Sequence, residues 1–287
     1  MTDPVSTGIL GRVRPHEEGP GAAAPIAVFD SGVGGLSVAI ELRRALPHED
    51  LLYLADTAHC PYGARPRAEI VGLAQACAGW LRHRGAKGLV VACNTASAAA
   101  LHELRAAAGA GWPIVGLVPA VKPAVEQTRT GRVVVLATPG TLQGHLLQDV
   151  IARFAVPAGV TVETVVSPGL VPAVETGALH TAETRALLRA ALDPPLAAGA
   201  DVVVLGCTHY PFLRPAIHAI YGPDLRVVDS GAAVARQAGR VLADRDLLRR
   251  GRRPGRLRLY TTGAPAQVAP VVARLLGEEH SVAHAVV

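Results

Sequence analysis

Short apolar runs alternate with longer amphipathic segments along most of this chain, and this alternation limits the possible folds more than any other feature. Apolar residues recur at helical spacing in segments such as 66–84 and 181–198. Continuous apolar strands that alternate with helices are typical of parallel sheets covered on both faces. The sequence therefore predicts an α/β protein. The predicted strands are Ile26–Phe29, Leu51–Leu54, Leu89–Ala92, Ile114–Leu117, Val133–Ala137, Val160–Val165, Val202–Leu205, Arg226–Val228 and Leu257–Thr261.

Two stretches of the sequence resemble each other closely enough to suggest two related halves. A Gly-Ala pair precedes Cys93, and another precedes Cys207 at the same distance. In each case an apolar run leads to the cysteine and a polar pair follows it. The chain has 287 residues, of which 50% are hydrophobic, so it is long enough for two domains with separate cores. The pattern predicts two pseudo-symmetric α/β domains.

Composition argues against several classes of partner. Aromatic residues make up only 3% of the chain, which disfavours a stacking platform for single-stranded nucleic acid. No apolar run is long enough for a membrane span, no secretory signal is visible, and the Gly- and Pro-rich residues 1–24 are expected to be a disordered tail. The net charge of +5 comes mostly from arginine. A dense arginine patch is interpreted as a solvated helix end and loop, with phosphate binding as the alternative. Its members are Arg245, Arg249, Arg250, Arg252, Arg253, Arg256 and Arg258.

The cysteines do not form a recognisable metal or disulfide pattern. The chain has four of them and no C-x-x-C pair, so the sequence predicts neither a zinc site nor a disulfide framework. Cys77 shares a helical stripe with Ile70, Leu73 and Leu81, which predicts a core position.

Polar, glycine-containing motifs follow several predicted strands, where parallel sheets bind ligands. The turn 30–35 (DSGVGG) can direct backbone N–H groups and a helix N-terminus at an anion. It is not a dinucleotide fingerprint, because Ser37 stands where the third glycine belongs. The alternative is a tight turn capped by Asp30. In the loop 56–63, amides and the Tyr62 hydroxyl could hold a carboxylate, with a plain loop as the alternative.

Cys93 and Cys207 each end a predicted strand and precede a helix, where the helix dipole is expected to lower a thiol's pKa. A single cysteine in this place could be structural, but a matched pair suggests chemistry. Inverting a carbon that bears hydrogen requires a base on one face and an acid on the other, and two thiols can exchange these roles. His209 and Asp30 are candidates to assist them. Glu175 lies in a weaker motif (VPAVETG) and could be a solvated helix residue.

Five stretches together resemble the glutamate racemases of the aspartate/glutamate racemase superfamily. FDSGVGGLSV, ADTAHCPYG, VVACNTASA, VPAVETG and LGCTHYPFL stand in that family's order over roughly residues 25–265. The resemblance implies two facing α/β domains with the active site between them. It places 25–118 with 230–287 in the first domain and 119–229 in the second. His59 departs from the family pattern, which has a basic residue, usually arginine, at that point.

The resemblance also implies a cofactor-independent and metal-free racemase that supplies D-glutamate for peptidoglycan in a bacterial cytoplasm, often as a homodimer. In it, Cys93 serves D-glutamate and Cys207 serves L-glutamate, with Asp30, Glu175 and His209 assisting. The implied substrate clamp consists of Asp30, Ser31, Tyr62, Gly63, Asn94, Thr95, Thr138, Thr208 and His209. Rival interpretations are an aspartate racemase, a single-thiol decarboxylase or isomerase of similar fold, and a binding protein that has kept the fold. Neither a membrane nor a nucleic acid is an expected partner.

Overall fold

A computed structural model describes residues 21–251 and 253–287, in which strands and helices alternate. The strands are β1 (Ile26–Asp30), β2 (Leu51–Ala55), β3 (Gly88–Val91), β4 (Ile114–Val115), β5 (Arg132–Ala137), β6 (Thr161–Val166), β7 (Val202–Gly206), β8 (Arg226–Val228), β9 (Leu257–Thr261) and β10 (Val282–His284). The α-helices are α1 (Leu36–Ala45), α2 (Arg67–His83), α3 (Asn94–Ala108), α4 (Val121–Gln127), α5 (Pro139–Gln143), α6 (His145–Val150), α7 (Leu170–Glu175), α8 (Ala182–Ala197), α9 (Arg214–Tyr221), α10 (Gly231–Ala243) and α11 (Pro265–Leu276). A π-helix spans Ile151–Ala155 and a 3₁₀ helix spans Tyr210–Leu213.

Within the described residues the strands form two parallel sheets. The larger has six strands in the order β10-β9-β2-β1-β3-β4, and the smaller has four in the order β6-β5-β7-β8. Every pairing in both sheets is parallel. The prediction of an α/β fold with two parallel-sheet regions is therefore confirmed.

The apolar core is continuous between the two sheets. Alternate residues of a strand face opposite sides of its sheet, and in β5 Val134 and Leu136 belong to a different cluster from Val133 and Val135. The cluster that contains Val134 and Leu136 also contains Val28 of β1. One face of each sheet thus packs into a common interior, and separate clusters cover the outer faces. This shared core holds the carboxyl ends of the two sheets in a fixed relation.

The predicted elements agree closely with the observed ones. The helical segments 66–84 and 181–198 are α2 and α8, and Cys77 is 1% exposed, as predicted. Strand β10 was not predicted; it is a three-residue edge strand that pairs with β9 alone among the described strands.

The chain contributes to the two sheets in an unequal way. Strands from both of its ends build the larger sheet, whereas the smaller sheet comes from its middle. The domain boundaries given above stay a prediction. Most of the expected tail, residues 1–20, lies outside the described residues, but the carbonyl of Ala22 accepts a hydrogen bond of 2.7 Å from the buried Lys87 ammonium. Among the helices that the structure describes, none is both long and apolar enough to cross a membrane.

Candidate active site

The carboxyl ends of the strands of the two sheets meet in one region. The hydroxyl of Thr95, after β3, lies 2.8 Å from that of Thr138, after β5. On the other side of this region, the hydroxyl of Ser37 in α1 donates to the carbonyl of Thr208, after β7, at 2.8 Å. Motifs that are far apart in sequence therefore share one site, as expected for the carboxyl edges of parallel sheets.

Cys93 caps the N-terminus of α3 from a buried position. Its Sγ accepts a hydrogen bond from the backbone N–H of Ala96 at 3.4 Å and lies 3.6 Å from the hydroxyl of Ser31. Burial, and then the negative charge of Asp30, raise the pKa of this thiol above its ordinary value, although Ala96 and Ser31 act in the opposite direction. The prediction that the strand-end position lowers the thiol pKa is therefore wrong for Cys93, because desolvation outweighs the helix terminus.

Cys207 belongs to a chain of polar groups that ends at a carboxylate. Its Sγ lies 3.5 Å from Nδ1 of His209, and Nε2 of the same ring lies 2.5 Å from Oε1 of Glu175. Burial alone lowers the pKa of an imidazole. Hydrogen bonding and charge from Cys207, with hydrogen bonds to Cys60 and Glu175, nevertheless raise the pKa of His209 well above its ordinary value. Cys207 thus has as its neighbour an imidazole whose surroundings favour the protonated form.

Glu175 is the negative end of this chain of groups. Burial opposes ionisation of its carboxyl, but the hydrogen bond and charge of His209 hold the pKa of Glu175 below its ordinary value. The side chain of Glu175 is 18% exposed. The alternative reading of Glu175 as a solvated helix residue is therefore wrong.

The glycines of the turn 30–35 allow this chain of groups to approach the backbone. A Cβ placed on Gly32 would lie 2.0 Å from Oε1 of Glu175, and one on Gly34 would lie 2.3 Å from Nδ1 of His209. Both positions therefore require glycine, because any side chain would displace an ionisable group of the site.

The backbone amides of the same turn bind the protein's own carboxylates. The N–H of Val33 donates to Oε1 of Glu175 at 2.8 Å, and that of Gly35 donates to Oδ2 of Asp30 at 2.7 Å. The predicted anion-binding turn is present, but these two N–H groups bind Glu175 and Asp30. At Gly35 the alternative interpretation, a tight turn capped by Asp30, is confirmed.

Asp30 is fully buried, and its second oxygen is unpaired. Desolvation raises the pKa of this carboxyl to about 6, although the charge of His209 and the N–H of Gly35 act to lower it. Its Oδ1 has no hydrogen-bond partner among the described residues, and the same holds for the buried Nδ2 of Asn94. One buried acceptor and one buried donor are thus available for a polar ligand.

The predicted clamp residues differ in what their side chains contact. Asn94 and Thr208 line a small cavity beside Cys207, and the Thr138 hydroxyl also lies 2.9 Å from that of Thr141. The Tyr62 hydroxyl instead donates to Asp56 Oδ2 at 2.5 Å.

Gly63 reaches the region through its backbone. Its carbonyl accepts a hydrogen bond of 2.9 Å from the N–H of Gly140, and a Cβ on Gly63 would lie 3.1 Å from Thr138. His59, the departure from the family pattern, contacts Asp56 through Nδ1 at 2.8 Å. Asp56 therefore organises this loop by binding both His59 and Tyr62.

Comparison with known proteins identifies the family. The profile of the Asp/Glu/Hydantoin racemase family matches residues 36–238. The chain is 55% identical to the glutamate racemase of Deinococcus radiodurans over 256 residues, which cover 89% of this chain and 88% of that protein. It is 52% identical to the glutamate racemase of a Roseiflexus species over 255 residues, covering 88% and 93% of the two chains. The chain belongs to the glutamate racemase family.

Solved structures of glutamate racemases share this fold. The RacE1 isoform from Bacillus anthracis aligns with a TM-score of 0.80 at 31% identity, covering 92% of this chain and 98% of that one. The Escherichia coli enzyme, determined with L-glutamate and the activator UDP-MurNAc-Ala, gives a TM-score of 0.78 at 33% identity, covering 91% and 97%. The Francisella tularensis enzyme, determined with D-glutamate, gives 0.79 at 28% identity, covering 93% and 98%.

Two residues of the site, Cys60 and Tyr53, were not predicted. Cys60, Glu175 and His209 each bring a potential ligand atom to within 4.8 Å of the others, a grouping that cysteine spacing could not predict. Tyr53, in the middle of β2, donates from its hydroxyl to the carbonyl of Gly32 at 2.7 Å and so anchors the glycine turn. A polar hydroxyl inside an otherwise apolar strand was the one feature of the sequence that could have drawn attention to Tyr53.

Two arginines of the patch, Arg249 and Arg253, bind Asp50 through their side chains. Asp50 accepts hydrogen bonds from the side chains of Arg249 and Arg253 and from the backbone N–H of Arg256. The hydrogen bond from the Arg253 side chain, with the N–H of Arg256 and the charge of Arg249, lowers the pKa of Asp50 to about 2, although burial opposes this. The solvated-loop interpretation fits these contacts. Arg252 lies outside the described residues.

Proposed function

We propose that this chain is a cofactor-independent glutamate racemase that interconverts L- and D-glutamate by means of two cysteine bases, Cys93 and Cys207. The observation that carries the proposal is the position of two buried thiols after central strands of different sheets, each beside its own ionisable groups. Asn94, the residue after Cys93, lines the same small cavity as Cys207, so the two cysteines belong to one site.

In the proposed reaction the two thiols exchange roles with each turnover. For L-glutamate, the Cys207 thiolate removes the α-proton, and the Cys93 thiol delivers its own proton to the opposite face of the carbon. Cys207 then carries the proton and Cys93 is the thiolate, which is the state that accepts D-glutamate. His209, held by Glu175, lies beside the Cys207 sulfur and assists as this thiol gives up and regains its proton.

The two unpaired buried atoms suit the α-substituents of an amino acid. We assign the α-ammonium to Oδ1 of Asp30 and the α-carboxylate to Nδ2 of Asn94. Burial and the negative charge of Asp30 raise the pKa of Cys93, and an ammonium at Asp30 offsets the second of these, so substrate binding favours the thiolate form of Cys93. The other proposed substrate-binding residues are Ser31, Tyr62, Gly63, Thr95, Thr138, Thr208 and His209.

The proposed reaction moves only protons, so it needs no electron sink if the site stabilises the carbanion electrostatically. The purified protein is expected to racemise glutamate without pyridoxal phosphate or metal. Activity that disappeared on dialysis against a chelator and returned with a metal would contradict this.

The proposed biological role is supply of D-glutamate for peptidoglycan and cell-wall synthesis. Both thiols must stay reduced, which agrees with a cytoplasmic location. We also propose a homodimer, to be checked by size-exclusion chromatography with light scattering, where a mass equal to one chain would refute it.

Incubation with L-glutamate in deuterated water tests the activity directly. The α-position should gain deuterium while the optical rotation falls to zero. L-aspartate under the same conditions serves as the control for substrate choice. Deuteration of aspartate without deuteration of glutamate would favour the aspartate racemase instead.

A further inference from the structure

A group of three potential metal ligands forms part of the Cys207 side of the site. Oε1 of Glu175 and Nε2 of His209 are 2.5 Å apart, and the Sγ of Cys60 lies within 4.8 Å of the nearest ligand atoms of both. Ligand atoms around a tetrahedral zinc ion stand about 3.3–3.8 Å apart, given metal–ligand bonds of about 2.0–2.3 Å. Small side-chain shifts therefore suffice to place a cation between the three.

The local backbone holds these groups together and leaves one side accessible. A Cβ on Gly32 would lie 2.0 Å from the Glu175 oxygen and 2.9 Å from the Cys60 sulfur, so the missing side chain provides the space that both occupy. Cys60 is partly exposed, and the Glu175 side chain is 18% exposed, whereas His209 is buried. A cation can reach the group from the Cys60 side.

We propose that Cys60, Glu175 and His209 form an inhibitory site for a thiophilic divalent cation, with Zn²⁺ as the best match. A sulfur, an imidazole nitrogen and one carboxylate favour zinc or cobalt over magnesium or calcium, which prefer oxygen ligands. The metal uses Nε2 of His209, the atom that otherwise contacts Glu175. Binding is a ligand exchange without oxidation: the thiol proton of Cys60 and the Nε2 proton of His209 pass to solvent as the metal–sulfur and metal–nitrogen bonds form.

The inhibitory effect rests on the proposed racemase function, whereas binding does not. A bound cation removes Glu175 from His209 and places a double positive charge near Cys207. The imidazole that lies 3.5 Å from the Cys207 sulfur is then bound to the metal and parted from its carboxylate, so it can no longer assist proton transfer at Cys207.

Cobalt provides a spectroscopic test that is independent of activity. Titration of the substrate-free protein with Co²⁺ should give one bound equivalent, with a thiolate-to-cobalt band in the near ultraviolet and visible bands typical of tetrahedral coordination. Zn²⁺ should displace it, and Mg²⁺ should not. Cys60→Ala should lose the thiolate band and bind Zn²⁺ at least about 100-fold more weakly, since even residues that merely orient ligands change affinity by about 10–100-fold. Cys77→Ala, which also removes one thiol, should bind like the wild type.

Activity measurements complete the test, with each variant compared with its own metal-free rate. Zn²⁺ should inhibit the wild type and Cys77→Ala at about 100-fold lower concentration than Cys60→Ala. Should Cys60→Ala fail to fold, Cys60→Ser replaces it, because serine keeps the side-chain size and removes the soft ligand. An unchanged cobalt spectrum in the Cys60 variant, or no binding at millimolar Co²⁺, overturns the proposal. Binding at Cys60 in a protein that does not racemise glutamate would refute the function and leave the metal site standing.

Discussion

Cys93 and Cys207 follow central strands of the two sheets, yet their ionisable neighbours carry opposite charges. Cys93 faces the carboxyl of Asp30, which together with burial raises the pKa of the thiol. Cys207 lies 3.5 Å from the imidazole of His209, whose surroundings raise its pKa and so favour the positively charged form. Two thiols at the carboxyl ends of parallel strands thus lie in unlike electrostatic surroundings; Cys93 also caps α-helix α3, whereas a 3₁₀ helix, Tyr210–Leu213, follows Cys207.

This difference matters because a reversible two-base reaction needs one thiolate and one thiol. A positive neighbour favours the thiolate and a negative one favours the thiol. We infer that Cys93 is protonated in the substrate-free protein. Cys207 is then the thiol that removes the first proton. The predictions below test this asymmetry, beginning with the largest expected effect.

Replacement of either thiol by serine should abolish most of the racemisation. Serine keeps the shape but ionises far less readily, so Cys93→Ser and Cys207→Ser should each lower the rate by roughly 10²–10⁴-fold or more, the range for a lost acid–base group. Elimination of chloride from a β-chloro analogue needs proton removal without reprotonation. Cys93→Ser should therefore still process the L-analogue, and Cys207→Ser the D-analogue. Equal loss of both eliminations in both variants would refute two separate bases.

Removal of the His209 imidazolium should slow the reaction of one enantiomer of the substrate more than that of the other. His209→Asn takes away the positive partner of Cys207. Elimination from the L-analogue should therefore fall by about 10–100-fold, at or below the lower end of the range for acid–base assistance. Elimination from the D-analogue should change much less. Elimination is the appropriate measurement because the equilibrium constant of racemisation is one, which forces kcat/KM to be equal in both directions in every variant. The matched control is His83→Asn, at a surface histidine. Equal losses of elimination from the L- and D-analogues would contradict the asymmetry between the two thiols.

Asp30→Asn should make the protein more stable at neutral pH and less active. The pKa of Asp30 is raised from 3.8 to about 6, so the folded state binds this proton more tightly than the unfolded state. Ionisation of Asp30 consequently costs stability as the pH rises from about 4 to above 6, and nothing below its unfolded pKa. The gain in Asp30→Asn should be small near pH 4 and approach about 3 kcal/mol at pH 8, at 1.36 kcal/mol per pKa unit. Urea unfolding at both pH values measures it, and a gain that does not grow with pH would contradict the assignment.

The smallest effect is expected at the thiol outside the site. Cys77→Ala removes a buried sulfur from the cluster beneath α2 and should lower the free energy of unfolding by about 1–2 kcal/mol with unchanged racemisation. In the wild type, glutamate should protect Cys93 and Cys207 from alkylation, while Cys77 stays unmodified throughout. Peptide mapping that found Cys77 to be the modified, activity-controlling thiol would contradict this.

Sequence reasoning succeeded where local pattern determines structure. Apolar runs such as 133–137 and 202–205 are strands because their Val and Leu side chains fill both faces of a sheet, and helix α2 follows directly from apolar spacing. Strand β10 was missed because three partly exposed residues at a sheet edge carry no such pattern.

Electrostatic properties were predicted less well. The strand-end position of Cys93 suggested a lowered thiol pKa, but that rule describes the helix terminus alone. Burial and the charge of Asp30 come from packing between elements, and together they outweigh the helix terminus.

The sequence by itself determined the α/β class, the order of the elements apart from β10, and the position of two cysteines at strand ends, because these depend on residues that are near neighbours in the chain. The tertiary structure decided which charges surround each thiol. Glu175 meets the N–H of Val33 across 142 positions of sequence, and Cys60 joins His209 and Glu175 from a third loop. Such contacts arise only when the two sheets share one core, since that packing sets both the distance between charges and the loss of water around them.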